Sequence, residues 1–290
     1  MAPRWGIGLS IALVMLAFAG NSVITRYLVL GDLASPFMLT TVRFGSGFAM
    51  LLLIWAASPG AFFPRFRGRP DLIGGSLLGA YAFSISYGYL FISAAAGTLV
   101  FYAFVVLTMA LAGYLSDGDR PTQRTVAGQA LALFGVVVIT FGGIRDVTPS
   151  GVLLMAVTGA SWGLYSVHGR TAPDAAAYTF ATFLVVALFS LSVAPFLAFL
   201  DPRFVRIKPS WNGLGIALFM GMISTALSYI LWHKTLRRIK ASQGGIVQLT
   251  VPVLASAMGI LLLGEDLTAA LVLGGAAVLV GIYLNRVDSG

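Results

Sequence analysis

The chain has 290 residues, 58% of them hydrophobic and only 10% charged, and its mean hydropathy is +0.93. A soluble domain carries about 25% charged residues, so this composition excludes a soluble globular protein and belongs to the membrane class. The net charge of +8 comes from basic residues in short segments between apolar runs, which excludes an extended nucleic-acid face. The absence of cysteine excludes disulfides and thiolate chemistry, and two histidines are too few for a dedicated metal cluster, so no metal or other cofactor is expected.

Apolar runs of about 20 residues, the length needed to cross the bilayer core, recur along the whole chain. In order they predict spans at 5–27, 36–57, 71–92, 95–115, 125–144, 150–169, 176–199, 211–234, 241–263 and 268–286. Span 1 has the look of a signal peptide, with Arg4 ahead of an apolar run and Ala17-Phe18-Ala19 as a cleavage sequence. The run continues through Val23 and Ile24, however, so it reads as a retained span. Gly75-x3-Gly79 in span 3 and Gly159-x3-Gly163 in span 6 predict close helix packing. Span 9 opens on Gly244-Gly245 and carries Pro252 just past Gln248, where a kink is expected.

The stretch from Ala95 to Val138 recurs without a gap, 146 positions later, as Ala241 to Leu284, with eleven of 44 aligned positions identical. The repeat aligns the polar break as well as the apolar runs, since Gly118-Asp119 falls on Gly264-Glu265. A duplicated set of spans is the mark of an internal structural repeat. Orientation follows from short-loop basic residues. With the N-terminus inside, twelve of the 18 Lys and Arg are cytoplasmic, including the clusters Arg65/Arg67/Arg69 and Lys234/Arg237/Arg238/Lys240. Five fall outside (Arg26, Arg145, Arg203, Arg206, Lys208), and Arg43 lies inside a span. Both termini come out cytoplasmic. Because each half has an odd number of spans, the halves enter the membrane from opposite sides. The expected fold is an all-α integral membrane protein of ten transmembrane helices in two inverted five-helix repeats, residues 1–145 and 146–290.

Each half ends in the same device: a glycine and an acid, a few residues, then a Gly-x6-Gly span (Gly118-Asp119 with Gly128 and Gly135; Gly264-Glu265 with Gly274 and Gly281). The second half also carries Ser161-Trp162-Gly163 with Arg170 after it, whereas the first departs from this with Ala19-Gly20-Asn21 and Arg26. On these motifs the chain resembles the drug/metabolite transporter superfamily, at the level of its ten-helix EamA-type exporters. Among those it most resembles the bacterial exporters of aromatic and other neutral amino acids. The resemblance implies a bacterial inner-membrane exporter, with ten helices around a central cavity lined by spans 1, 3, 4, 6, 8 and 9.

The ionisable residues narrow the mechanism further. All ten acids fall at span ends or in loops, so no carboxylate sits at mid-membrane to serve a proton relay. Asp119 and Glu265 lie in turns, where neutralisation is expected to act on folding more than on turnover. Arg43 is the one charge inside a span, read either as a snorkelling or backbone-paired structural arginine or as an anchor for a substrate carboxylate. The remaining candidate substrate-binding residues are uncharged: Asn21 in span 1, Tyr81 in span 3, Tyr102 in span 4, Trp162 and Tyr165 in span 6, Tyr229 in span 8 and Gln248 in span 9. Tyr102 and Gln248 correspond under the 146-residue shift, so they are expected to face each other across the cavity with Trp162 between them and Asn21 and Tyr81 completing the wall. An apolar cavity with a few hydroxyl, amide and indole groups suits a neutral or zwitterionic solute with an aromatic or aliphatic side chain.

The sequence therefore predicts an exporter of small neutral or zwitterionic metabolites, with the lipid bilayer and a small-molecule substrate as partners and a monomer as the expected assembly. Export of drugs or other metabolites, and a lipid-flipping or structural subunit, remain as alternatives. An enzyme is not expected: the nearest catalytic pairs, His168 with Asp174 and His233 with Lys234, sit at span ends without a constellation around them.

Overall fold

The computed structural model describes residues 4–58, 66–117, 122–142, 147–200, 210–238, 244, 247–248 and 250–284. Arg65, Asp119, Arg120, Arg145, the segment 201–209, Lys240, Gly245 and Arg286, all singled out in the sequence, lie outside the described residues. Ten helices run through what is described: α1 (Arg4–Leu30), α2 (Pro36–Ala57), α3 (Arg69–Gly88), α4 (Ala94–Asp117), α5 (Gln123–Phe141), α6 (Pro149–Arg170), α7 (Ala175–Leu200), α8 (Trp211–Leu236), α9 (Thr250–Leu263) and α10 (Ala269–Leu284). Parts or all of α1, α2, α4, α6, α7 and α8 are long and apolar enough to cross a membrane, and α5, α9 and α10 carry shorter apolar stretches.

Helix starts follow side chains that satisfy the free N–H groups of a first turn. Ser35 accepts from the Met38 amide ahead of Pro36, Thr148 accepts from Gly151 ahead of Pro149, and Ser210 accepts from Gly213. Asp174 accepts from Ala176 and Ala177 at the start of α7, and Thr268 from Leu271 at the start of α10. Proline at the first position of α2 and α6 loses nothing, because its missing N–H would have had no partner in the helix.

The helices bury polar groups and expose apolar ones, the reverse of a soluble protein. Phe199, Leu261 and Trp211 are each more than 80% exposed, while Arg26, Arg43, Thr225 and Gln248 are at most 2% exposed. Only a surrounding apolar phase makes that distribution favourable. An apolar groove of about 810 Å³ between α1, α9 and α10, lined by Ile11, Met15, Val253, Leu279 and Tyr283, belongs to this outer surface.

Neighbouring helices come in pairs that exchange when the first five are swapped for the last five. The contacts of α6 with α3 and α4 match those of α1 with α8 and α9, and α2 with α8 matches α7 with α3. The remaining major pairs, α2 with α7, α4 with α9 and α5 with α10, map onto themselves. Glycines allow the closest of these approaches. A side chain at Gly159 would strike the Phe101 carbonyl and Phe104 of α4, and one at Gly75 would strike Val185 of α7. On the α5–α10 seam, Gly135 meets the Gly274 carbonyl and Gly281 meets the Gly128 carbonyl.

Three elements differ from the sequence expectation. Span 3 is placed two residues early and ends at Gly88, because Gly68, at φ 73°, turns the chain into α3 and Tyr89 caps it. In span 9 the described helix α9 runs Thr250–Leu263, so Pro252 lies in its first turn, with Gln248 in a turn just ahead of it. Within α8, residues Met220–Leu227 form a π-helix, which the sequence does not announce.

Candidate functional site

The π-helical segment of α8 is a wide turn of the kind often found at functional sites, and it lies where α1 and α2 cross. Gly221 allows the crossing, since a side chain there would strike the Arg43 carbonyl and Ser46. From this segment Ser224 donates to Asn21 Oδ1 at 2.7 Å, and Thr225 Oγ1 accepts from Arg43 Nε at 2.8 Å. One turn on, the Tyr229 hydroxyl accepts from Arg43 Nη2 at 3.2 Å. The Arg43 guanidinium also lies 5.1 Å from the Phe44 ring centre and 6.0 Å from that of Tyr81. Arg43 is 1% exposed, so it does not snorkel, and its partners are side chains rather than backbone.

Trp162 of α6 is the centre of an aromatic cluster. Its ring lies 4.9 Å from Tyr81, 4.9 Å from Tyr229, 5.2 Å from Phe18 and 5.5 Å from Tyr165. Its indole N–H donates to Gln248 Oε1 at 2.9 Å, and Gln248 Nε2 donates in turn to the Gly244 carbonyl at 3.2 Å. The amide thus holds the indole with a fixed acceptor. Tyr165 is anchored behind it by a 3.2 Å bond between its hydroxyl and that of Thr182.

Seven of the eight sequence candidates therefore join two connected groups: Asn21 and Arg43 on the π-segment, and Tyr81, Trp162, Tyr165 and Gln248 around the indole, with Tyr229 belonging to both. Tyr102 is set differently. It is buried against Phe101, ring centres 4.3 Å apart, and Phe101 in turn meets Tyr81 at 5.9 Å. Among the described residues it makes no hydrogen bond to Trp162 or Gln248. Sequence reasoning missed Phe18, Ser224 and Thr225. Helical spacing was the available signal, since Phe18 is three residues before Asn21, and Ser224 and Thr225 are four before Ser228 and Tyr229.

The two ends of the bundle carry the other buried charges. At one end Glu265, in the turn between α9 and α10, accepts from the backbone amides of Ala94 and Ala95 at 2.5 and 2.9 Å and lies 3.9 Å from Arg26 Nε. Arg26 Nη1 donates to the Tyr89 carbonyl at 2.6 Å. Arg26, counted among loop charges in the sequence, is inside α1 and 2% exposed. At the other end Asp71, fully buried, accepts from the Arg67 guanidinium at 2.6 and 3.0 Å and from its backbone amide at 2.6 Å.

A ring cluster beside a buried guanidinium, in a bundle with an apolar outer surface, is a place to hold a small solute within a membrane. The model of the EamA-like transporter family matches residues 149–287. An uncharacterized protein of Pseudomonas aeruginosa is 34% identical over 94% of both chains. The chain belongs to the EamA-like transporter family. It is a multi-pass membrane transporter of the drug/metabolite superfamily, not an enzyme. Two further relatives of this transporter have named roles. A probable amino-acid metabolite efflux pump of Salmonella typhimurium is 28% identical over 82% of this chain and 84% of its own. A probable biotin transporter of Pseudomonas aeruginosa is 29% identical over 94% of both.

Proposed function

We propose that this transporter exports small neutral or zwitterionic metabolites, in the first place aromatic and other neutral amino acids, from the cytoplasm of a bacterium. The single observation that carries the reading is the bond from Arg43 to Tyr229, which puts a buried guanidinium against the Trp162 ring cluster. Guanidinium is the side chain suited to a carboxylate, and Arg43 offers five donors, of which the bonds to Thr225 and Tyr229 use two. An amino acid would turn its carboxylate to Arg43 and lay its side chain on Trp162, Tyr81 and Phe18. Amino-acid metabolites and biotin, the solutes named for two relatives, share a carboxylate on a partly apolar body. Asn21, Tyr102, Tyr165 and Gln248 complete the proposed site.

All of these residues are at most 6% exposed, so solute access requires helices of the two halves to part. We read the halves, 1–145 and 146–290, as inverted repeats, supported by the paired helix contacts, and the mechanism as alternating access between them. Both termini are cytoplasmic in this reading, in the inner membrane. Single cysteines at Gly31 and Gly68 in this cysteine-free chain should label from opposite sides, and labelling from one side would end the inverted-repeat reading.

Counterflow in proteoliposomes across L-phenylalanine, L-leucine, L-alanine and biotin tests the substrate. Trp162→Ala is expected to slow L-phenylalanine and L-leucine several-fold while sparing L-alanine, because a stacked aromatic contact adds about 0.5–1.5 kcal/mol beyond area burial. Gln248→Leu, which leaves the indole N–H without its acceptor, should slow all amino acids about equally. An unchanged profile in both variants would put the site elsewhere, and counterflow of biotin alone would replace the amino-acid reading.

A further inference from the structure

His233 lies in the last turn of α8, is completely buried, and has no hydrogen-bond partner for either ring nitrogen. Leaving two polar atoms dry costs free energy that any aliphatic residue of similar size would avoid. Imidazole is also the one side chain whose charge ordinarily changes near neutral pH. The surroundings are built to accept this ring: Tyr165 and Tyr178 stand nearly perpendicular to it at 5.0 and 5.1 Å, and a side chain at Gly169 would strike both His233 and Tyr178.

These contacts join His233 to a surface and to the proposed site. Tyr178 meets His168 at 5.9 Å, and His168, close to the end of α6, has its Nε2 2.8 Å from the Pro70 carbonyl. On the other side Tyr165 meets Trp162 at 5.5 Å and Tyr229 at 6.3 Å. The titratable and charged groups facing His233 are Tyr165 and His168 from α6 and Tyr178 from α7. Behind Tyr178, at the start of α3, stands the Arg67–Asp71 pair. The fully buried carboxylate of Asp71 is committed to Arg67, and the partly buried one of Glu265 to Arg26 and the start of α4.

We propose that His233 is a proton-binding site that favours the parted form of the α6 and α8 ends and so makes transport pH-dependent, a role that rests on the transporter reading given above. Protonation in the conformation described would leave an unpaired cation among tyrosine rings, away from water. The proton therefore binds when the α6 and α8 ends part and water reaches the ring, and its binding favours that parted conformation. Because Tyr165 touches both His233 and Trp162, parting these ends also loosens one wall of the solute site, so proton and solute compete for the closed form. No covalent step is involved: a proton is taken up at an imidazole nitrogen from the water that enters between the parted ends and is returned to that water before they close.

A solute-free measurement tests this directly. A single cysteine at Ser161, a buried position of α6, is labelled with a maleimide in reconstituted protein at about pH 5.5 and about pH 8, bracketing the imidazole range. Each rate is divided by that of the same cysteine in unfolded protein. The corrected rate is expected to rise several-fold at the lower pH, and His233→Gln and His233→Asn should each abolish the rise. A rise that survives in either folded variant, or no rise in the His233 protein, overturns the proposal. In the same vesicles, with equal pH on both sides, L-phenylalanine counterflow is expected to be several-fold slower at about pH 5.5 than at about pH 8 with His233 in place, and His233→Gln should remove the difference. A difference that His233→Gln retains in full also overturns it. Absence of L-phenylalanine counterflow altogether would instead overturn the substrate reading, and the labelling arm would still decide the role of His233.

Discussion

The two ends of the helix bundle are closed by different chemistry. Where α1 ends and α4 begins, Glu265 binds backbone amides 170 and 171 residues away and pairs with Arg26, so three separate segments meet on one carboxylate. Where α3 begins and α6 ends, Asp71 is satisfied by Arg67, four residues before it, and His233 nearby has no polar partner. A bond between distant segments resists their separation, whereas an i,i+4 pair orders only the start of its own helix. At the Arg67 end the bond that ties α6 to α3, between His168 and the Pro70 carbonyl, is exposed, so the Glu265 end is the harder to part, and helix movement that admits solute is cheaper at the Arg67 end. In the proposed orientation that is the cytoplasmic face, where an exporter takes up its cargo.

Substitutions that remove this contrast rank by how much buried bonding they break. Glu265→Ala should have the largest effect, since it takes away the carboxylate facing buried Arg26 and uncaps α4, and losing one partner of a buried ion pair costs about 3–5 kcal/mol. The measure is the fraction of purified protein remaining monodisperse after graded heating. Yield should fall more than turnover per surviving molecule, and a well-folded Glu265→Gln protein that binds solute but has lost all transport would contradict this. Gly169→Ala, at the opposite end, forces a methyl into the His233 and Tyr178 rings, and overpacking of this kind costs about 1–3 kcal/mol. Its heating profile should fall between those of the unaltered chain and Glu265→Ala. Arg67→Lys should have the smallest effect, about 1 kcal/mol, because a cation still faces fully buried Asp71 and the backbone amide at 67 still serves it, so only the two-pronged guanidinium geometry is lost. A loss as large as that of Glu265→Ala would erase the contrast between the ends.

Much of the architecture was legible because membrane helices advertise themselves by length and apolarity. Span 2 was placed residue for residue at 36–57, where Ser35 and Pro36 mark the start. Trp162, Gln248 and Tyr81 were singled out as uncharged polar or aromatic residues at mid-span, and these three side chains lie in contact. What stayed hidden depends on contacts between distant segments. The polar break at Gly264-Glu265 was visible, but its partners, the amides of Ala94 and Ala95, are ordinary backbone. The π-helix leaves no mark in Met220–Leu227, since it is set by the approach of Arg43 and Ser46 to Gly221. Arg26 looked like a loop charge because its burial comes from Tyr89 and Glu265, which no local pattern ties to it. Tyr102 was read opposite Gln248 from depth and the repeat, and its ring neighbour, Phe101 of its own helix, carries no mark in that pattern.

The α5–α10 seam has a consequence for how the chain can be cut. Two of its glycine contacts, Gly135 with Gly274 and Gly128 with Gly281, exchange with each other when 146 is added to the first-half number and subtracted from the second. Each half thus brings the same two notches and finds the matching pair on the other, like two identical combs pushed together from opposite directions. Severing the connection near 145 removes neither contact. Residues 1–145 and 146–290, made as separate polypeptides, should therefore co-purify through this seam, and a bulky residue at Gly135 or Gly281 should be enough to keep them apart.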